Sequence, residues 1–302
     1  MQVISQQEVE RYREPINEAE VLHISELWDR VVEQWRKNPK DVYGHPTTSW
    51  PVFNQAYGGI RPGEFISLTA ETGQGKTTFA LRLLLDMVNQ GMPCLLMSFE
   101  ERWGQMARKI AEMTTRKKMH TFDKCDVAGV SDVWKRIPLW FLDRHGMTSQ
   151  AFVLKAMDLA ARRKGVRFIV IDHLDYITKK AERWQSEAYV IGDSMRALVS
   201  KAHEVNAATL LIVHPKKLEL KGTGRREVHM DELKGSSSIK QESDAVLSLY
   251  QYEPQKNGVM LRFQKIRDSK HAPSSGGFIR FSFDSDKTDF IENSLKLEWG
   301  SP

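Results

Sequence analysis

The residues best equipped for chemistry lie together at Ala70-Glu71-Thr72-Gly73-Gln74-Gly75-Lys76-Thr77-Thr78. Glycines at these positions let the backbone curl until several N–H groups face one hollow, and a helix starting at that hollow adds its positive end. Such a loop holds the phosphates of a nucleotide. Gly73 and Gly75 shape it, Lys76 reaches for the β- and γ-phosphates, Thr77 suits a magnesium ion, and Thr78 completes the phosphate-holding set. Ala70 stands where the commonest form of the motif has glycine.

A nucleoside triphosphate bound there needs two further acids before it can be hydrolysed. Arg167-Phe168-Ile169-Val170-Ile171-Asp172 is an apolar strand pattern closing on a carboxylate, the arrangement that holds magnesium in phosphate-loop enzymes. Asp175, just beyond, is either a further acid of the site or an ordinary loop residue. Cys94-Leu95-Leu96-Met97-Ser98-Phe99-Glu100-Glu101 is a second strand pattern, ending in two acids. An acid at the C-terminal end of a neighbouring strand can polarise an attacking water, and Glu100 is the candidate base. Either segment alone would pass for a solvated acid at a strand end. Beside the phosphate loop they make a hydrolytic set.

Positioning these residues requires a sheet. Strand patterns fall at Phe65–Thr69, Cys94–Phe99, Leu139–Leu142, Phe168–Ile171, Thr209–Val213, Ala245–Tyr250, Val259–Ile266 and Phe278–Phe283, with helical patterns at 76–90, 102–114, 148–163 and 186–205. The early strands show little alternation, as parallel strands covered on both faces do. The last ones alternate like antiparallel edges. Strand–helix alternation followed by a run of strands predicts a doubly wound, mostly parallel α/β core with added C-terminal antiparallel strands. Ahead of it, Ile24, Leu27, Trp28, Val31, Val32 and Trp35 form one stripe of an amphipathic helix that ends before Pro39. Lys40 to Pro51 reads as a linker.

With these motifs in this order, the chain resembles replicative helicases of the DnaB type within the RecA-like superfamily, above all the phage primase–helicases and mitochondrial Twinkle. The likeness spans about residues 45–285. It implies a RecA-like P-loop NTPase core. Ser98-Phe99-Glu100 resembles the family's catalytic-glutamate motif and Phe168–Asp172 its magnesium strand. Leu211-Ile212-Val213-His214 resembles a third motif, which makes His214 the γ-phosphate sensor; without the likeness it is a polar residue at a strand end. Leu233-Lys234-Gly235 through Asp244 resembles a fourth, whose basic residue grips a DNA phosphate. Here Lys234 replaces the usual arginine, keeping the charge and losing the planar fork, and Ser237 replaces a usual glycine. Phe263-Gln264-Lys265-Ile266-Arg267 resembles the fingers by which Lys265 and Arg267 would reach a neighbouring subunit's nucleotide.

Between the third and fourth motifs runs a basic, glycine-punctuated stretch containing Lys216, Lys217, Arg225 and Arg226. Such a stretch is commonly a solvated loop; directly after a phosphate-sensing strand it suits the backbone of single-stranded DNA, with few aromatics for base stacking. A second basic loop, Thr178–Trp184, either lines the same channel or is ordinary surface. The amphipathic helix either docks on the next subunit or packs on its own domain. The expected division is therefore a subunit-linking arm at residues 1–40 and a motor at 41–302. The resemblance implies ATP or another NTP with Mg2+ between subunits of a homo-oligomer, a hexameric ring. Single-stranded DNA is the partner, and primase or polymerase are candidates for further ones. Two other readings share the phosphate loop: a KaiC-like regulatory ATPase, which typically carries the core in duplicate, and a RecA-like recombination mediator that binds DNA without unwinding it.

The 302 residues carry a net charge of +5, with 41% hydrophobic and 27% charged residues. This is a globular balance, mildly favourable to a polyanion. Cys94 and Cys125 show no metal-ligand spacing, and two thiols make no disulfide framework, so a reducing compartment is expected. The N-terminus lacks the apolar core of a signal peptide, and no apolar run approaches the roughly 18 residues of a membrane span. The expected location is the cytoplasm, a host's cytoplasm for a viral protein, with the mitochondrial matrix left open.

Overall fold

The computed structural model describes residues 22–177, 186–215, 236–253, 257–267 and 276–299. These fall into two units, one ending at Tyr43 and one beginning at Gly44. In the first, helix α1 (Ile24–Lys37) opens with the His23 side chain accepting from the Ser25 N–H and stops at Asn38. Its Ile24, Leu27, Trp28 and Trp35 are exposed. A short turn, α2 (Lys40–Tyr43), follows.

The second unit is built on strands whose apolar residues are covered from both sides. Among the described residues ten strands form one sheet: β1 (Phe65–Ala70), β2 (Cys94–Ser98), β3 (Leu139–Leu142), β4 (Phe168–Asp172), β5 (Ala208–Val213), β6 (Ala245–Glu253), β7 (Gly258–Ile266), β8 (Gly277–Asp284), β9 (Asp289–Glu292) and β10 (Glu298–Trp299). Their order is β10-β8-β7-β6-β1-β5-β4-β2-β3, with β9 on β8. The strands from β6 to β3 in this order run parallel, and β7 to β10 add on antiparallel. All residues of β1, β4 and β5 are buried, as uninterrupted runs such as Phe-Ile-Val-Ile require.

Helices cover both faces. On one side α3 (Pro51–Tyr57) and α4 (Lys76–Asn89) pack with Trp50, Phe53, Phe79, Phe281 and Phe290; Trp50 and Phe79 stack at 4.4 Å. On the other, α7 (Gln150–Lys164) and α8 (Glu187–Glu204) contribute Val153, Met157, Met195 and Leu198. Between them in sequence lie α5 (Trp103–Thr115) and α6 (Lys124–Trp134), and α9 (Ser236–Glu242) precedes β6. The parallel strands all end on one edge, so the described residues directly after β1, β2, β4 and β5 gather there.

Two expectations change. The stretch read as a linker, Lys40–Pro51, holds the α2 turn, pairs His45 with Ile60 and buries Trp50 completely. The aromatic side chain anchors it to the core, which its proline and threonine content conceals. Helices α3, α6 and α9 and strands β9 and β10 are additional to the expected elements.

Candidate functional site

The loop after β1 wraps around the start of α4. Gly73 and Gly75 take φ of +81° and +86°, a region where side chains are strained. Gly75 has a second constraint, since a Cβ there would come within 2.6 Å of the Phe290 ring. Lys76 folds back so that its Nζ donates to the carbonyls of Ala70 at 2.8 Å and Glu71 at 2.9 Å. Burial lowers its pKa, and the acids Asp172, Glu100 and Glu71 oppose that shift.

Asp172 ends β4 directly across from the loop. The Thr77 hydroxyl donates to its Oδ2 at 2.9 Å, and the carboxyl is almost wholly buried. Burial pushes it up to about 6, with the Thr77 hydrogen bond pulling the other way. A hydroxyl and a buried carboxylate side by side form an oxygen donor set that fits a hard divalent cation.

The two acids after β2 part company. Glu101 pairs with Lys109 of α5. Glu100 lines the same cleft as Glu101 but has a different neighbour, its Oε2 lying 3.2 Å from His173 Nε2. His214, one residue past β5, stacks on His173 at 4.0 Å between ring centroids. Burial, helped by His173 and Lys76, lowers its pKa to about 4, so it is neutral near pH 7. Glu100, His173 and His214 each bring one possible ligand atom within 4.8 Å of the others.

These groups line one cleft of about 390 Å³, with Gly73, Gly75, Lys76, Thr77, Thr78, Glu100, Asp172 and His214 all on its wall. Lys109, Gln251, Asn257, Phe283 and Phe290 also line it and were not singled out in the sequence. The two phenylalanines come from the β8–β9 hairpin, which Arg82 of α4 ties down through Asp289. The alternation around Phe283 looked like any strand edge, and Phe290 lies in a strand of only 4 residues. His173 was missed as well, although it adjoins Asp172. The arrangement is able to hold a triphosphate and a cation, and to offer a carboxylate to an attacking water.

Lys265 and Arg267 lie elsewhere. Ile266 of β7 pairs with Ala245 of β6, which pairs with Ile66 near the start of β1. The phosphate loop leaves the other end of β1, so Arg267 sits more than about 15 Å from it at the rise of a strand. There Arg267 donates to Asp244 Oδ1 at 3.0 Å and to the Gln241 carbonyl at 2.8 Å. Lys265 donates to the carbonyls of Lys240 and Ser243. Lys216, Lys217, Arg225, Arg226 and Lys234, and the Thr178–Trp184 loop, lie outside the described residues.

Comparison with known proteins agrees with this geometry. The profile of the DnaB-like helicase C terminal domain matches residues 47–292. A probable replicative DNA helicase of Trieres chinensis is 21% identical over 93% of this chain and 65% of its own length. The replicative DNA helicase DnaB of Leifsonia xyli is 25% identical over 82% of this chain and 54% of its own. The chain thus spans about half to two thirds of the length of these relatives. Among solved structures, an ATPase domain superposes with a TM-score of 0.73 at 18% identity, covering 90% of this chain and 99% of that one. A DnaB-like replicative helicase, described with its interactions with primase, gives 0.70 at 18% identity, over 90% and 67%. The fold is accordingly RecA-like, and the chain belongs to the family of DnaB-like helicase C-terminal domains.

Proposed function

We propose that this chain is the motor of an ATP-dependent replicative DNA helicase, with residues 41–302 as the motor and 1–40 as an arm that docks its Ile24–Trp35 stripe on the next subunit. One observation carries the reading. Everything needed to bind and attack a triphosphate converges on one edge of the sheet, while Lys265 and Arg267 stand at the opposite edge, out of reach of their own chain's nucleotide. Completed by the Lys265 and Arg267 of a neighbouring copy, the site would lie between subunits, and a closed ring repeats one such interface; a hexamer is the ring we propose.

Lys76 and the loop N–H groups bind the phosphates of ATP. Mg2+ held by Thr77 and Asp172 would draw charge from the phosphate oxygens. Glu100 takes a proton from the attacking water, and His214, neutral near pH 7, offers its N–H to the γ-phosphate. Arg267 from the neighbour neutralises charge that develops during transfer, a contribution on the order of 10³–10⁵ in rate. Loss of the γ-phosphate releases His214 and displaces the segment after it, whose Lys216, Lys217, Arg225, Arg226 and Lys234 hold the backbone of single-stranded DNA. A primase is a fitting partner, given the structural relative described with one. Among the described residues no helix is long and apolar enough to cross a membrane, in keeping with a cytoplasmic motor.

Strand displacement with hydrolysable and non-hydrolysable nucleotide tests the reading. The parent should unwind only with the former. K76A should neither bind nor hydrolyse, and E100Q should bind without hydrolysing or unwinding. Hydrolysis stimulated by single-stranded DNA with no unwinding would make the chain a mediator that uses nucleotide as an affinity switch.

A further inference from the structure

Glu100 is a loosely held base. It lies in a bend past the end of β2 with its side chain 46% exposed, and Lys109 goes to Glu101 instead. A base must nonetheless be aimed, because a misplacement of roughly 1 Å can cost about 10²-fold in rate. The side chain beside it, His173, is anything but loose. The residue is 5% exposed. Its ring stacks on His214 within 19° of parallel and meets Tyr176 edge-on at 4.8 Å. Its Nε2 lies 3.2 Å from Glu100 Oε2, whereas its Nδ1 is 3.9 Å from Asp175 Oδ2, beyond hydrogen-bonding distance. The closer acid favours the tautomer with the proton on Nε2. Contacts of this kind are often poorly aligned before substrate arrives and tighten when it does.

We propose that His173 is the positioning residue for Glu100: a buried imidazole, immobilised between two rings, that holds the carboxylate toward the attacking water. Because the same ring packs on His214, base and γ-phosphate sensor move as one unit. The proposal rests on Glu100 being the base. His173 is buried and is not among the residues that line the cleft.

Two substitutions separate aiming from packing. H173Q keeps an N–H near the place of Nε2 but loses the ring. H173F keeps the ring but loses the donor. Nucleotide binding and steady-state hydrolysis are measured for both, alone and combined with E100Q. H173F should bind nucleotide like the parent while kcat falls by about 10²-fold, H173Q should keep clearly more activity than H173F, and H173F should lower the residual rate of E100Q no further. An H173F protein as active as the parent, or more active than H173Q, would show that the ring only fills space, and the proposal would be overturned. If H173F fails to fold, H173M removes the donor with a more adaptable side chain; loss of fold in both makes the residue structural and overturns the proposal equally. E100Q hydrolysing at the parental rate would bring down the reading of Glu100 as base and this role with it, whereas an inactive E100Q beside a fully active H173F would bring down only the role of His173.

Discussion

At the scale of single residues, Asp172 ties the chemistry to pH. Its carboxyl is raised by burial to about 6, above the ~3.9 of an exposed aspartate. Between those values the folded chain holds a proton that the unfolded chain has released. This group therefore contributes most to stability below about pH 4 and loses that contribution as pH rises through 6. A cation needs the carboxylate and competes with that proton. Magnesium affinity in the presence of nucleotide should weaken by up to about tenfold per unit below pH 6, and D172N, which removes the titrating group, should leave only the dependence due to the nucleotide's own phosphates. Equal magnesium affinity at pH 5 and pH 7 in the parent would contradict this. The phosphate loop was legible in the sequence because its residues are contiguous, and Asp172 and Glu100 because each ends an apolar run. His173 was not legible. A histidine after a strand has no periodicity to betray it, and only the rings of His214 and Tyr176, distant or inconspicuous in sequence, give its position meaning.

At the scale of elements, the sheet placed its long strands where apolar runs predicted, since a strand buried on both faces has no polar positions to interrupt it. The short β9 and β10 had too few residues to show a pattern, and α3 was hidden because its buried Val52, Phe53, Ala56 and Tyr57, although at helical spacing, span only 7 residues. The β8–β9 hairpin matters most among the missed features. It presses Phe290, itself packed among Phe79, Phe281 and Phe283, against Gly75. G75A should therefore be worse than an ordinary loop substitution, because the added methyl meets a ring that has no room to turn and a φ of +86° that alanine resists. Nucleotide affinity should drop by tenfold or more, with a stability loss of about 1–3 kcal/mol from the strained backbone, read by nucleotide titration and by denaturant midpoint. The removal of Phe290's bulk should partly relieve it: if G75A/F290A binds no better than G75A, the hairpin is not what constrains the loop.

At the scale of the whole molecule, the proposed DNA binding and assembly would draw on different features of the chain. Removing charge at Lys216, Lys217, Arg225, Arg226 and Lys234 should weaken single-stranded DNA binding alike for all sequences. It should also reduce the salt dependence by about 0.7 slope unit for each phosphate no longer neutralised. Unchanged binding in all five variants would return the segment to ordinary surface. The proposed shared site depends instead on strand direction: β7 runs antiparallel to β6, so Arg267 is delivered to the edge of the sheet away from its own phosphate loop. The Lys-x-Arg spelling was visible in the sequence, but the edge on which it emerges was not, because that edge is decided by the direction of a strand pair.

The most direct test of the shared site is to mix two inactive variants. R267A keeps Lys76, Thr77 and Asp172 in every copy and should bind nucleotide nearly as the parent does, while its hydrolysis drops by a sizeable part of the roughly 10³–10⁵ range of an arginine finger. K76A has no working nucleotide site but carries an intact Arg267. Co-expressed, an R267A site facing a K76A neighbour regains the full set, so the mixture should hydrolyse ATP well above either variant alone. A co-assembled mixture that stays as inactive as its components, with both variants still oligomeric, would show that Arg267 does not complete a neighbour's site and would contradict the shared-site motor proposed for this chain.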